Sequence, residues 1–162
     1  MLKRILAVLV VILILIQFIR PEKNNSNDNT YALDTKYTVP ENVSNILAVA
    51  CNDCHSNNTR YPWYSNIQPV AWWLNSHVEE GKEHLNFSEF TNRTLAYQYH
   101  KLEETVEEVE ERKMPLPSYT NLGLHVEANL SDEQRTLLID WAKSQIQYLE
   151  QTYPKDSLIR KR

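Results

Sequence analysis

Both cysteines of the 162-residue chain lie in one pentapeptide, Cys51-Asn52-Asp53-Cys54-His55. Two thiols three residues apart on one helical turn can add to the two vinyl groups of a haem. The adjacent imidazole then points at the iron as its proximal ligand. The spacing therefore predicts one covalently attached haem c, held by Cys51 and Cys54, with His55 as an iron ligand.

Two other cysteine chemistries fit the sequence less well. A CxxC redox pair normally lies on a βαβ scaffold, and the sequence has no convincing strand–helix–strand alternation. A zinc site needs two further ligands at matching spacing, but the chain contains no second CxxC and no HxxxH. With only two glycines, the chain also lacks the Gly-rich phosphate loops of nucleotide-binding proteins.

The second axial position of the iron has one favoured candidate. Met114 is the only methionine besides the initiator and lies in a Pro-flanked segment, Arg112 to Pro117. A loop of this kind between two helices can place a thioether against the face of a haem. The alternatives are an open or labile position and the four remaining histidines, which are His77, His84, His100 and His125.

The amino-terminal segment, residues 1–20, predicts a transmembrane helix that anchors the chain. Only one polar residue interrupts the apolar stretch from Ile5 to Ile19. That stretch is roughly 22 Å long as a helix, and Lys3, Arg4 and Arg20 could extend it by snorkelling. No small-residue cleavage site follows, which favours an uncleaved anchor over a signal peptide. Lys3 and Arg4 predict a cytoplasmic amino end and an exported body.

The remainder divides into three parts. Residues 21–38 are Asn-rich without hydrophobic periodicity and predict a flexible linker, residues 39–152 a haem-binding domain, and residues 153–162 a frayed basic tail. The body is expected to be all-α because no segment alternates with period two. Its four expected helices span about 42–50, 68–83, 88–112 and 131–151, the last beginning with a capping box at Ser131.

The distribution of charged and aromatic residues indicates which partners and which pocket walls to expect. The 21 acidic residues outnumber the 17 basic ones, and no basic stripe is present, which argues against nucleic acid as a partner. The acidic run 103–111 is expected to be a solvated helix face, with docking to a basic partner as the alternative. The aromatic residues of segment 61–73 are expected to form core or a wall of the haem pocket.

Several motifs beyond CxxCH resemble the bacterial haem-binding domain family, a group of exported proteins similar to c-type cytochromes. They are Cys51 to Ser65, Pro-Val-Ala-Trp-Trp (69–73), His77, Gly81, Leu-Asn-Phe-Ser-Glu-Phe (85–90) and Met-Pro-Leu-Pro-Ser-Tyr (114–119). The resemblance implies covalent haem c on Cys51, Cys54 and His55. Similarity to class I cytochromes c implies Met114 as distal ligand and a cytochrome-c-like fold, with the first and last helices of the body packed together.

These observations lead to one leading hypothesis and one alternative. The leading hypothesis is a monohaem electron carrier, not an enzyme, tethered to the bacterial cytoplasmic membrane with its haem domain on the exported side and exchanging electrons with a partner protein. The alternative is a haem-based sensor or ligand-binding module with a labile or open sixth iron position.

Overall fold

The computed structural model describes residues 1–120 and 123–160, and this part of the chain is built from helices and connecting turns without a β-strand. The expected all-α fold class is therefore confirmed for these residues. The helices are α1 (Leu2–Ile16), α2 (Glu41–Ala50), α3 (Asn52–His55), α4 (Val70–His84), α5 (Leu95–Glu110), α6 (Pro117–Thr120), α7 (Asp132–Thr152) and α8 (Lys155–Leu158). Short 3-10 turns at Leu33–Thr35, Trp63–Asn66, Phe87–Glu89 and Val126–Ala128 connect them.

Side-chain caps explain where α5 and α7 begin. The Ser131 hydroxyl accepts a hydrogen bond from the backbone N–H of Gln134, and the Gln134 side chain accepts one from the backbone N–H of Ser131. The predicted capping box is therefore present. The third helix was expected to begin near residue 88, but Asn86 caps only the short turn Phe87–Glu89. The helix itself begins at Leu95, because the Thr94 side chain caps it.

The hydrophobic core lies between α5 and α7, which run against each other, with α2 packed on α7. Leu102 and Val109 of α5 are buried in the same cluster as Leu138 and Leu149 of α7. Each such side chain contributes roughly 1.5–3 kcal/mol when it leaves water. The contact between α2 and α7 agrees with the expectation that the first and last helices of the body pack together.

Helix α1 lies outside this core. It has 15 residues, none of them buried. Within residues 1–120 and 123–160, no helix is both long enough and apolar enough to cross a membrane. The transmembrane helix expected over residues 1–20 is thus represented by a shorter apolar helix that ends at Ile16.

The segment predicted to be a flexible linker, residues 21–38, lies against the body instead. Leu33 and Tyr37 are buried in the core, at 4 % and 2 % exposure. The Tyr37 hydroxyl donates a 2.6 Å hydrogen bond to the Gln98 side chain, and the Asn24 amide donates to the Ser56 carbonyl and the Thr59 hydroxyl. The Asn-rich composition therefore provides specific side-chain hydrogen bonds to the domain.

The carboxyl-terminal segment, predicted to be a frayed basic tail, also differs from that prediction. Residues Lys155–Leu158 form α8, which packs on α5 and α7, and Leu158 is buried at 7 % exposure. Burial of the Leu158 side chain favours this docked position by roughly 1.5–3 kcal/mol. Lys161 and Arg162, which end the predicted tail, lie outside the described residues.

Candidate functional site

Helix α3 places the imidazole of His55 against the carboxyl-terminal end of α4. The Nδ1 atom lies 2.9 Å from the carbonyl oxygens of both Gly81 and Leu85. Carbonyl oxygens only accept hydrogen bonds, so Nδ1 must carry the proton and donate it. Burial lowers the pKa of His55, so the ring is neutral and Nε2 keeps its lone pair. This is the tautomer that a metal-ligating histidine needs.

Gly81 allows α3 and α4 to approach this closely. A Cβ atom built on Gly81 would lie 2.6 Å from the carbonyl oxygen of Cys54 and 3.0 Å from its Cβ. Any side chain here would push the CxxCH segment away from α4. One of the two glycines of the chain is therefore required by packing at the site.

The site residues predicted from the sequence meet at one cavity of about 410 Å³. Cys51, Cys54, His55 and Met114 all line it. Helix α4 contributes one wall and α5 another, through residues that include His77, His84, Lys101 and Thr105. The volume falls in the range of about 300–1,000 Å³ that is usual for ligand and cofactor pockets.

A smaller cavity of about 270 Å³ adjoins the first. The two cavities share Cys54, His77, Leu116 and Tyr119 in their linings. Side chains of the aromatic segment 61–73, among them Trp63, Tyr64 and Trp73, line the smaller cavity. The aromatic segment thus forms a wall beside the larger cavity instead of joining the α5–α7 core.

The loop that carries Met114 is tied to two helices. The backbone N–H of Met114 donates to the carbonyl of Glu108, at the end of α5, over 3.0 Å. The guanidinium group of Arg135 on α7 donates to the carbonyl oxygens of Met114, over 2.8 Å, and Val109, over 3.2 Å. These bonds fix the backbone of Met114 at the edge of the cavity.

Asp53, between the two cysteines, anchors the motif from its other side. Its buried carboxylate accepts hydrogen bonds from the backbone N–H and guanidinium group of Arg60, at 2.9–3.1 Å. It also accepts a 2.7 Å bond from the Tyr119 hydroxyl. Burial and this carboxylate raise the pKa of Tyr119, so its hydroxyl stays protonated as the donor.

The four remaining histidines divide between the two cavities and the surface. His77 lines both cavities and donates from Nδ1 to the Trp73 carbonyl over 2.9 Å, and His84 lines the larger one. The Nε2 atom of His125 lies 2.6 Å from the Tyr64 hydroxyl, beside the smaller cavity. His100 lies outside both linings and pairs with Glu104 over 2.9 Å.

The environment of the thiols does not suit a thiol redox centre. Burial raises the pKa of Cys51 to about 12 and that of Cys54 to about 11. Reactive cysteines of disulfide oxidoreductases have a pKa below the ordinary value, because the thiolate is the nucleophile. Both cysteines are therefore protonated thiols at neutral pH.

The donor set fits a haem. Two thiols, an imidazole whose free nitrogen is Nε2, and a thioether line the same mainly apolar cavity. Among the described residues, no group of three or more His, Cys, Asp or Glu side chains could hold a bare metal ion. The residues thus suit a large apolar cofactor with its own metal better than a free metal ion.

The sequence patterns assign no role to Gly81, Asp53, Tyr119 or Arg135. Gly81 and the segment that ends at Tyr119 occur among the motifs that carry the resemblance, and Asp53 lies between the two cysteines. The hydrogen-bond partners of Asp53, for example, lie 7 residues away in sequence for Arg60 and 66 residues away for Tyr119. Such distant partners leave no local periodic signal that could have identified them.

Comparison with known proteins agrees with this geometry. A family model described as a haem-binding domain matches residues 11–144. No curated protein and no solved structure shows a significant match. The matched region contains the CxxCH motif, α4, α5 and the Met114 loop, and it covers most of the chain. The chain therefore belongs to the haem-binding domain family.

Proposed function

We propose that this haem-binding protein holds one haem c covalently and carries single electrons. The observation that supports the proposal most strongly is the placement of both thiols, His55 and Met114 on one cavity, with Nδ1 of His55 occupied by two carbonyls. When bound, the haem supplies an iron that cycles between the ferrous and ferric states.

Each residue of the site has a defined part in this proposal. The thiols of Cys51 and Cys54 would each add across one vinyl double bond of the cofactor, with the sulfur bonding one carbon and the proton going to the other, which gives two thioether bonds. His55 offers Nε2 to the iron, while the carbonyls of Gly81 and Leu85 keep the ring oriented. Met114, in the loop after α5, would offer its thioether as a second ligand. No protein residue makes or breaks substrate bonds in this scheme.

Covalent attachment is tested on a denaturing gel. The full chain is produced with a haem-attachment machinery, and its band is stained for haem peroxidase activity. We expect staining that survives denaturation and disappears in the Cys51→Ser/Cys54→Ser double variant. The full chain produced without the machinery is the control. An unstained band for the intact chain made with the machinery would contradict covalent attachment.

Axial ligation separates an electron carrier from a sensor. A Met ligand predicts a weak far-red sulfur-to-iron absorption in the ferric protein, which Met114→Ala abolishes. His77→Ala is the matched control, since His77 also lines the cavity, and we expect it to retain the band. If the ferrous wild-type protein binds carbon monoxide readily and the far-red band is missing, a sensor with an open sixth position is the better description.

We also propose that α1 attaches the protein to the bacterial cytoplasmic membrane, with the haem domain on the exported side and a redox protein as electron partner. Side chains 2–15 are all exposed although most are Ile, Leu or Val, so α1 presents a large apolar surface that the described residues of the body do not cover. Lys3 and Arg4 at its start favour a cytoplasmic amino end.

Membrane attachment is tested by alkaline extraction of membranes that contain the full chain. We expect the wild type to stay in the pellet and the Leu9→Arg/Leu13→Arg variant to move to the supernatant. The Leu9→Phe/Leu13→Phe variant keeps the surface apolar and is the matched control. Release of the wild type by alkali would contradict attachment through α1.

A further inference from the structure

An uncharged aromatic surface adjoins the end of α1. Residues 61–76 contain no Asp, Glu, Lys or Arg, although such residues make up 23 % of the chain. Within this stretch Trp63 is 74 % exposed, Ile67 44 % and Trp73 45 %. We call this the aromatic face and define it by Trp63, Ile67, Val70, Trp72 and Trp73.

The aromatic face is joined to α1 by direct hydrogen bonds. The Gln17 side chain accepts from the backbone N–H of Gln68 over 3.0 Å and donates to the carbonyl of Gln68 over 3.3 Å. The carbonyl of Ile19 accepts from the Gln68 side chain over 2.7 Å and from the indole N–H of Trp72 over 3.0 Å. The apolar surface of α1 therefore continues onto the aromatic face without a free spacer.

The charges of the chain are distributed unevenly with respect to this face. Residues 61–76, which form the face, carry no acidic side chain, whereas α5 carries five acidic side chains and one basic side chain. An anionic lipid surface would repel α5 and would not repel the aromatic face. Exposed tryptophans are also the residues that favour the boundary between lipid and water.

We infer that the aromatic face rests on the lipid surface of the membrane that holds α1. This inference rests on the proposed membrane attachment and adds an orientation of the haem domain to it. The smaller cavity, which Trp63, Val70 and Trp73 line, then borders the lipid headgroups. The acidic helix α5 contributes no residue to that cavity and lines only the larger one.

The test uses the full haem-loaded chain in vesicles of phosphatidylcholine and phosphatidylglycerol that contain a photoactivatable phospholipid. After illumination, mass spectrometry locates the modified residues. We expect modification in α1 and in residues 63–73, and none at Tyr148 or Ile159, which are also exposed apolar side chains. Modification confined to α1 would retain the membrane attachment and overturn the orientation. No modification in either region would overturn both.

A matched pair of variants makes the test sharper. Ile67 and Ile159 are both exposed, at 44 % and 62 %, and Ile67 lines neither cavity. We expect Ile67→Glu to reduce lipid modification of residues 63–73 by about tenfold, because a carboxylate resists transfer out of water. Ile159→Glu should leave that modification unchanged. Equal modification in the two variants would overturn the inference. A protein partner that covers this face in membranes and blocks its modification by lipid would also overturn it.

Discussion

The tautomer of His55 is set by hydrogen bonds to atoms that are distant in sequence. The carbonyls that accept from its Nδ1 belong to residues 26 and 30 positions further along the chain. The CxxCH spacing predicts that an imidazole lies beside the two thiols, because one helical turn brings the three side chains together. Which nitrogen carries the proton depends on the docking of α3 against α4, and no local pattern encodes it.

At the same scale, the hydroxyl of Tyr119 fixes the segment between the two cysteines. We expect Tyr119→Phe to lower the free energy of unfolding by about 1–3 kcal/mol, because a buried carboxylate loses one charged hydrogen bond. Chemical denaturation monitored by circular dichroism measures the change. The bonds from Arg60 remain in this variant, so the fold is retained.

Tyr148→Phe is the control for this substitution. Tyr148 is 41 % exposed, and its hydroxyl makes no hydrogen bond within the described residues. We expect its removal to change the unfolding free energy by less than about 0.5 kcal/mol. Equal losses in the two variants would mean that the bond to Asp53 contributes nothing specific.

At the scale of elements, the contact between α3 and α4 depends on a missing side chain. An alanine in a helix normally stabilises it relative to glycine, by about 1 kcal/mol. We expect Gly81→Ala to do the opposite and to destabilise the protein by about 1–3 kcal/mol, because its Cβ would overlap the Cys54 carbonyl. Thermal unfolding of the haem-loaded protein measures the sign.

Ser76→Ala on the exposed side of α4 controls for helix propensity. We expect it to leave stability unchanged or slightly raised. A Gly81→Ala variant that is as stable as Ser76→Ala would show that α3 and α4 can separate without cost, which contradicts the close approach.

The second element-scale prediction concerns α8, which was expected to be part of a frayed tail. Leu158→Ala should cost about 2–5 kcal/mol, because it leaves a cavity beside the core. The neighbouring Ile159→Ala removes a similar side chain that is 62 % exposed, and it should cost less than about 0.5 kcal/mol. Urea denaturation of both variants compares them. Two equally small losses of unfolding free energy would support a frayed tail and contradict the packing of α8.

At the scale of the whole molecule, the segment between α1 and α2 joins the domain instead of trailing from it. The backbone N–H of Asn24 donates to the Tyr61 hydroxyl over 2.8 Å, and those of Thr35 and Tyr37 donate to backbone carbonyls within the segment over 3.0 Å. Hydrogen exchange of these three amides should therefore be slowed by at least about a hundredfold relative to an unstructured chain. Mass spectrometry of the full chain measures it.

Asn24→Ala removes the side-chain bonds to Ser56 and Thr59 and should speed this exchange. Asn45→Ala, on the exposed face of α2, is the control and should leave it unchanged. Exchange in the wild type at the rate of an unstructured chain would confirm a flexible linker and contradict the packed segment.

The sequence by itself determined the all-α class, the capping box of α7, the CxxCH motif and the candidate Met114. These features depend on residue types at short, regular spacing, which local geometry makes readable. The tertiary structure alone decided that Tyr37 and Leu158 are buried, that Gly81 must lack a side chain, and that the His55, Cys and Met114 side chains share one cavity. The physical reason is that burial and long-range hydrogen bonds are set by which helices meet, and those contacts join residues that no sequence period relates.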